Sequence, residues 1–143
     1  MKSFNASAAL RSMRLRSFPG IKKDAYEKRI IFDGSDFDVR GAKYQILRFN
    51  PRDSIGEHWH AHTTELYLVR SGRAIVRVNG RKRVLAKDDC ILLHPGDRHA
   101  IENPFSNPFV FHLFKWNESR RDLRWPTPPP APRSLARAAD RAR

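Results

Sequence analysis

Apolar and polar side chains alternate with a period of two through the middle of the chain, and turn residues interrupt the alternation every eight to twelve positions. This period is typical of half-buried β-strands, whose successive side chains point to opposite faces of a sheet. Asn79-Gly80 predicts a tight hairpin, because a type I′ turn needs positive φ at both of its central positions. The predicted strands are rich in β-branched and aromatic residues: Lys28–Phe32, Ala42–Phe49, Thr64–Arg70, Arg73–Val78, Arg81–Ala86, Cys90–Leu93, Arg98–Glu102 and Pro108–Trp116.

Many short strands at even spacing predict an all-β domain, with a closed or sandwiched antiparallel sheet of the barrel or jelly-roll type. We assign this domain to residues 28–116. Residues 1–27 are expected to form a basic N-terminal arm, and residues 117–143 a flexible Pro-rich C-terminal extension. The start of the arm is rich in Arg and Ser and poor in acids, so a targeting segment and an edge strand in a dimer remain alternatives.

The distribution of the net charge bears on whether the protein binds nucleic acid. The chain has 143 residues with 28 Lys and Arg against 15 Asp and Glu, which gives a net charge of +13. The two terminal segments hold +8 of this charge, whereas a nucleic-acid-binding domain usually gathers its charge on one folded face. We therefore expect no specific nucleic-acid partner.

Two further features bear on location. The longest apolar run, Cys90–Leu93, is far shorter than the roughly 20 residues that span a bilayer, so no membrane span is expected. The single cysteine excludes an internal disulfide and is typical of a reducing compartment. A cytoplasmic location is therefore predicted.

Histidines are concentrated in the segment that precedes the predicted strand at Thr64. In an extended strand, residues two apart share a face, so His58 and His60 point the same way, and His62 does too if the strand extends that far. The imidazoles of His58 and His60 start about 7 Å apart at the backbone and can converge on one ion. Glu65 opens the next strand and can return a carboxylate to the same place. Imidazole and carboxylate ligands suit Fe, Mn, Ni, Zn or Cu rather than Ca or Mg.

A second segment contains another candidate metal ligand, and it is informative only together with the histidine-rich segment. Pro95-Gly96 makes a tight turn that launches a strand whose first inward residue can be His99, and Asn103 follows four residues later. A lone histidine after a turn is usually exposed or hydrogen-bonded, so this segment predicts little by itself. Its partner lies about 20 residues upstream, across the Asn79-Gly80 hairpin.

Together the two segments closely resemble the conserved motifs of the cupin superfamily. The first resembles that family's His-x-His pair followed by Glu and Gly, here His58, His60, Glu65 and Gly72, and the second its Pro-Gly-x-x-His-x-x-x-Asn core. The resemblance covers roughly residues 40–116. It implies a double-stranded β-helix that holds one divalent transition metal (Fe, Mn, Ni or Zn). The implied metal ligands are His58, His60, Glu65 and His99.

Three positions depart from the family pattern. Asp53 stands where the first motif normally has Gly, and in the second motif Asp88 lies near a usual Gly and His94 replaces a usual Pro. These positions shape turns, so they affect loop geometry more than metal ligation. A rival ligand pair, His60 and His62, leaves too few residues before Glu65, so we place His62 behind the ligands or at the rim of the pocket.

Two residues are weak candidates for catalysis. Tyr67 shares the inward face of Glu65, where it either contacts a bound ligand or simply fills the barrel as a core aromatic. His112 on the last strand is either a base in the pocket or a buried, paired imidazole. Arg48, Arg70 and Arg73 would favour an anionic substrate if any of them faced inward.

Three functions are compatible with this pattern. The favoured hypothesis is a non-haem metal-dependent dioxygenase that acts on a small organic molecule, either neutral or anionic, because four protein ligands on an octahedral ion leave two open positions. The alternatives are a non-catalytic binder or sensor of a small ligand, and a sugar isomerase or epimerase. We also expect a homodimer. The fold alone does not decide among these functions.

Overall fold

The computed structural model describes residues 19–127. This part of the chain contains eleven strands and one four-residue helix. In chain order the elements are β1 Ile21–Lys22, β2 Glu27–Asp33, α1 Gly34–Phe37, β3 Lys43–Phe49, β4 Ser54–His60, β5 Thr64–Ser71, β6 Ala74–Val78, β7 Arg81–Leu85, β8 Cys90–Leu93, β9 His99–Glu102, β10 Phe109–Trp116 and β11 Leu123–Arg124.

The strands form two antiparallel sheets that enclose one core. The order is β1-β2-β3-β10-β5-β8 in the six-stranded sheet and β11-β4-β9-β6-β7 in the five-stranded sheet. From β3 to β11 the chain changes sheet at every step except the β6–β7 hairpin, which is typical of a jelly roll. The predicted all-β double-stranded β-helix is confirmed. Buried apolar side chains from both sheets form the main core: Leu47, Phe49, Tyr67, Val69, Ala74, Val76, Leu85, Leu93, Ile101, Phe109, Phe111 and Leu113.

Strand β4 was not among the strands predicted from hydrophobic alternation. The argument for a metal site nevertheless treated His58 and His60 as residues of an extended strand. Its buried positions are the imidazoles of His58 and His60 instead of aliphatic side chains. Its pairing with β9 also shifts register between Ile55 and His58, which interrupts the two-residue period. An alternation of apolar and polar residues therefore never arises in this strand.

The described residues extend beyond the predicted domain at both ends. β1 lies in the segment assigned to the N-terminal arm and pairs with β2, and β11 lies in the C-terminal extension and pairs with β4. The interpretations made for residues 1–18 and 128–143 fall outside the described range. No helix within residues 19–127 is long and apolar enough to cross a membrane.

Two motif residues hold the loop that joins β9 to β10. Gly72 has φ +75°, and a Cβ there would lie 2.0 Å from the carbonyl oxygen of Pro108. Asn103 is buried and donates from Nδ2 to the carbonyl oxygens of Phe49 and Asn107, at 3.0 and 2.8 Å. The glycine permits close approach of two backbones, and the asparagine satisfies buried carbonyl groups that the loop leaves unpaired.

At the three positions that depart from the family pattern, the residues present are compatible with the tight turns. Asp53 accepts a hydrogen bond from the backbone N–H of Asn50 at 2.8 Å. Asp88 adopts φ +70°, a conformation that Asp tolerates better than most residues. The backbone N–H of His94, which a proline would lack, donates to Asp97 Oδ2 at 2.8 Å. The tight turns are therefore kept without the usual Gly and Pro.

We predict that Gly72→Ala destabilises the fold much more than Gly80→Ala. Both glycines have positive φ (+75° and +79°), but a Cβ at Gly80 meets no atom within 4 Å. Gly80→Ala should cost about 1 to 2 kcal/mol of unfolding free energy from backbone strain alone. Gly72→Ala should cost about 1 to 3 kcal/mol more, because the Pro108 backbone must move. Urea denaturation of both variants measures the difference, and equal losses would contradict the close approach at Gly72.

Candidate metal centre

Strands β4 and β9 bring three buried imidazoles together. His58 lies directly opposite His99 in the antiparallel pairing, and His60, two residues along β4, points to the same side. The ring centroids of His58 and His99 are 4.2 Å apart, and those of His60 and His99 are 5.9 Å apart. One ring nitrogen from each residue lies within 4.8 Å of the other two. This group can hold a metal ion.

Backbone and carboxylate acceptors orient the three rings. His58 Nδ1–H donates to the carbonyl oxygen of Gly56 and His99 Nδ1–H to that of Asp97, both at 2.8 Å. His60 Nδ1 lies 3.5 Å from Asp122 Oδ2. A proton held on Nδ1 leaves the lone pair on Nε2, the atom that binds metal. The carbonyl oxygens of Gly56 and Asp97 therefore set the tautomers of His58 and His99.

One orphaned atom tests whether a metal ion fits this group. His99 is 1% exposed, and its Nε2 has no hydrogen-bond partner among residues 19–127. A buried ring nitrogen without a partner costs free energy that a coordinated cation would recover. The donor set suits a transition metal, since it contains imidazole nitrogens and no thiolate. The residues present thus fit the metal that the sequence implied.

The carboxylate of Glu65 lies beside two of these imidazoles. Its Oε1 is 3.3 Å from His60 Nε2 and its Oε2 is 3.3 Å from His99 Nε2, and the residue is 3% exposed. Burial would raise the pKa of Glu65, but the close imidazoles of His60 and His99 and the charge of Lys115 outweigh burial and hold the pKa well below its ordinary value. The side chain is therefore an anion, as a metal ligand must be.

His58 is held in its neutral form. Burial, together with the neighbouring His99, lowers the pKa of His58 to about 4, although the hydrogen bond to Gly56 opposes the shift. A neutral imidazole is the ligand form, so no proton has to be removed from His58 near neutral pH before an ion binds.

Tyr67 is a core aromatic of the barrel, one of the two alternatives that the sequence left open. It is fully enclosed by the core, with its ring centroid 4.6 Å from that of Phe111. Its hydroxyl donates to Glu65 Oε2 at 3.0 Å. Burial, followed by the charge of Glu65, raises the pKa of Tyr67 well above its ordinary value, so the phenol stays protonated and can only donate to that carboxylate.

The structure does not bring His112 or His62 to the group of imidazoles. His112 lies between Phe111 and Leu113 on β10, and since these two face the core, it occupies the outer face of the sheet. There it forms a 2.7 Å hydrogen bond with the hydroxyl of Tyr44. His62 follows the end of β4 and is exposed, with its backbone N–H bonded to Asp122.

Asp122 is a site residue that sequence reasoning missed. It lies beyond the predicted domain, but the pairing of β11 with β4 carries it to the imidazole of His60. Its carboxylate accepts hydrogen bonds from the backbone N–H groups of His62 and Thr63 and from the Thr63 hydroxyl. Burial would raise the pKa of Asp122, but these hydrogen bonds outweigh it and lower the pKa. No local sequence signal marks a contact between residues so far apart.

Lys115 was also missed, although the period of two could have found it. It follows Phe111 and Leu113 at the next inward position of β10, and its Nζ lies 3.2 Å from Glu65 Oε1. A lysine at the end of an alternating apolar strand is usually read as its solvated end. Here it contacts the carboxylate at the centre of the site.

Comparisons with known proteins agree with this architecture. The sequence profile of the Cupin domain family matches residues 45–115, the middle half of the chain. A mannose-1-phosphate guanylyltransferase of Salmonella montevideo is 29% identical over 75 residues, which are 51% of this chain and 15% of that protein. The chain thus spans only a small part of this relative.

Solved structures extend the likeness to the whole fold. A predicted oxalate decarboxylase from Thermotoga maritima superimposes with a TM-score of 0.69 at 17% identity, covering 73% of this chain and 97% of that one. A conserved protein with a double-stranded β-helix domain from Klebsiella pneumoniae gives a TM-score of 0.65 at 18% identity, covering 80% and 96%. With its two sequence motifs, its jelly roll and its matching profile, the chain belongs to the cupin family.

Proposed function

We propose that this chain is a metal-dependent cupin enzyme that acts on a small organic molecule, with His58, His60, Glu65 and His99 as ligands to one divalent transition metal. The observation that carries the proposal is the buried, unpartnered Nε2 of His99, which faces two further imidazoles and a carboxylate. The favoured reaction is a non-haem oxygenation by dioxygen. The favoured ions are iron and manganese, with nickel and zinc as the other members of the expected set.

The local charges support metal binding over a purely structural role. Three imidazole lone pairs and one carboxylate surround the same buried space, and such a set is stable only if protons or a cation share it. The low pKa of His58, which burial causes, disfavours protons there. A divalent cation would satisfy all four side chains at once, and four protein ligands leave two positions of an octahedral ion open.

The residues around the ligands have positioning roles in this proposal. The carbonyl oxygens of Gly56 and Asp97 hold the Nδ1 protons of His58 and His99, and the carboxylate of Asp122 lies 3.5 Å from His60 Nδ1. The hydroxyl of Tyr67 donates to Glu65 and fixes the plane of its carboxylate. Such outer contacts orient ligands and tune the ion. The bound ion would supply the open positions at which dioxygen and substrate meet and the electrons that activate dioxygen.

The relatives support chemistry on small charged molecules. The Thermotoga maritima neighbour is described as a predicted oxalate decarboxylase, and the Salmonella montevideo relative as an enzyme of mannose-1-phosphate. Oxalate and sugar phosphates are both anions. These names support a small anionic substrate here, and they leave the reaction to be decided by experiment.

Metal analysis paired with oxygen uptake tests the proposal. Protein purified without chelator should contain about one transition-metal ion per chain, and a panel of small acids, phenols and thiols should include a compound that stimulates oxygen consumption. Stoichiometric metal without turnover of any compound, including sugar phosphates assayed for isomerisation, would favour the non-catalytic ligand binder instead.

We also propose a cytoplasmic homodimer. The outer face of the six-stranded sheet exposes a row of large apolar side chains on the adjacent strands β5, β8 and β10, among them Leu68, Leu92 and Trp116. Contiguous apolar surface of this kind is typical of an interface, and a second copy of the chain would bury it. The mass in solution from light scattering tests this, and a monomer at all concentrations would contradict it.

We predict that His58→Ala, His60→Ala and His99→Ala each lose most of the bound metal, whereas His62→Ala retains it. The first three residues offer converging ring nitrogens, and His62 is exposed and apart from them. Elemental analysis of each purified variant measures metal per chain. His62→Ala is the control for loss of a nearby histidine. Near-normal metal in His99→Ala would contradict the ligand set, because that residue alone links β9 to the ion.

We predict that the metal-free protein loses stability as the pH falls from about 6.5 toward 4. The folded pKa of His58 is about 4 against an ordinary value of 6.5, because burial penalises its charged form. Between these values the unfolded chain binds the proton that the folded chain refuses, so acid favours unfolding. Above about pH 6.5 the contribution of His58 is fully present. Urea denaturation in the presence of chelator, at pH steps from 7.5 to 4.5, measures the change.

The matched control is His58→Gln, which cannot take up this proton. Its free energy of unfolding should depend less steeply on pH over the same interval. Identical slopes for the two proteins would show that His58 titrates in the folded state as it does in water.

A further inference from the structure

Lys115 places an ammonium group inside the barrel, next to the proposed metal centre. Its side chain is 12% exposed, and its Nζ is 3.2 Å from Glu65 Oε1. A charged amine this far from solvent costs free energy unless it is paired. In a metal-loaded site, Glu65 would be shared with the ion, so Lys115 would need further negative charge. Nothing in the ligand set requires a lysine at this position.

The arginines that the sequence suggested for binding an anionic substrate do not lie beside Glu65. Arg48, Arg70 and Arg73 are all exposed. Arg48 donates from Nε to Asn50 Oδ1 at 3.1 Å, and Arg73 stacks over the ring of Phe105 at 4.3 Å. The positive charge at the site therefore comes from lysine.

Two further lysines lie around Lys115. Lys43 faces it directly across the pairing of β3 with β10, and the two share Glu118, at 2.6 Å from Lys43 Nζ and 3.8 Å from Lys115 Nζ. Lys28 lies on β2 opposite Leu47, whose side chain is in the core, so it shares the inner side of the sheet. Burial lowers the pKa of Lys28, and the charges of neighbouring lysines, including Lys43 and Lys115, lower it further.

These charges balance only without a metal ion. Three ammonium groups, those of Lys28, Lys43 and Lys115, stand against three carboxylates around the site, those of Glu65, Glu118 and Asp122. A divalent ion at the imidazoles would add two positive charges beside them. The loaded site would then attract an anion strongly, because electrostatic interactions are less screened where water is excluded.

Gln45 supplies an independent indication of a ligand. It lies on β3 between Lys43 and Leu47 and opposite Leu113, and it is only 4% exposed. Its Oε1 has no hydrogen-bond partner in the part of the chain that the structure describes. Buried amide oxygens are nearly always paired, so this acceptor is suited to a hydroxyl group that residues 19–127 do not provide.

We propose that Lys115 and Lys28 bind the anionic group of the substrate and that Gln45 accepts a hydrogen bond from a hydroxyl of the same molecule. The substrate class is then a small hydroxylated organic anion whose charge is a carboxylate or a phosphate. This inference rests on the proposed function, because it places the substrate beside the metal ligand Glu65. The lysines act in binding and orientation, and no covalent step is assigned to them.

Calorimetric titration with matched probes tests the inference. Glycolate carries a carboxylate and a hydroxyl, glycerol phosphate carries a phosphate and hydroxyls, and ethylene glycol and glycerol are their neutral counterparts. The full chain, both metal-loaded and metal-free, should bind at least one anionic probe roughly tenfold or more tightly than its neutral counterpart. Which anion binds distinguishes a carboxylate from a phosphate substrate.

The variants are Lys115→Gln, Lys28→Gln and Gln45→Leu, with Lys82→Gln on the exposed strand β7 as the control. The first two should each weaken binding of the anionic probe by roughly tenfold, and Gln45→Leu should weaken the hydroxylated probe without affecting acetate or inorganic phosphate. Lys82→Gln should bind as the wild type does. Metal content is measured in every protein. If Lys115→Gln lowers the metal content through its contact with Glu65, the affinity of Lys28→Gln for the anionic probe decides whether the lysines bind the anion.

Anionic probes that bind no better than neutral ones would overturn the inference, as would unchanged affinity in both lysine variants. Absence of metal from the wild type is a separate outcome. It would overturn the proposed function, and the titrations of metal-free protein would still decide whether the lysines bind an anion.

Discussion

The pairing of β4 with β9 is the constraint on which the candidate centre depends. It sets His58 opposite His99, and the carbonyl oxygens two residues before each histidine then hold the two Nδ1 protons. Both rings must therefore turn their Nε2 atoms inward. If either strand slipped by one residue, these imidazoles would move to the outer face of the sheet and the group would vanish. The register of one strand pair thus fixes the chemistry of the site.

The rest of the site balances the charge that this arrangement creates. Glu65 brings a negative charge to the imidazoles, and Tyr67 and Lys115 both contact its carboxylate. Asp122 approaches from the other side, against His60. Each of these groups is costly to bury alone, and their contacts make the burial tolerable. A cation would complete the set, because the Nε2 of His99 has no partner among the described residues.

Much of the fold and of the ligand group could be predicted from the sequence, because both depend on local patterns. The period of two predicted most of the long strands, and the resemblance to the cupin motifs predicted the three imidazoles that the structure brings together, those of His58, His60 and His99. The alternation of apolar and polar residues did not predict β4. The inward positions of β4 carry histidines, so the strand lacks an apolar face.

The residues that were missed lie where local patterns carry no information. Asp122 reaches His60 through the pairing of β11 with β4, a contact between residues 62 positions apart that no periodicity records. His112 was considered for the pocket on its residue type, whereas alternation with Phe111 and Leu113 puts it on the outer face. Lys115 was not considered from the sequence, and it contacts Glu65 from the end of β10. Each difference arises from tertiary contact and not from local propensity.

The state of the histidine rings tests the central claim most directly. Long-range proton–nitrogen correlation spectra of the metal-free protein at neutral pH should show His58 and His99 as neutral rings protonated on Nδ1, as their hydrogen bonds to Gly56 and Asp97 require. Addition of one equivalent of zinc should shift the Nε2 resonances of His58, His60 and His99 together and leave that of His62 in place. Rings protonated on Nε2, or Nε2 resonances that zinc does not move, would contradict the account.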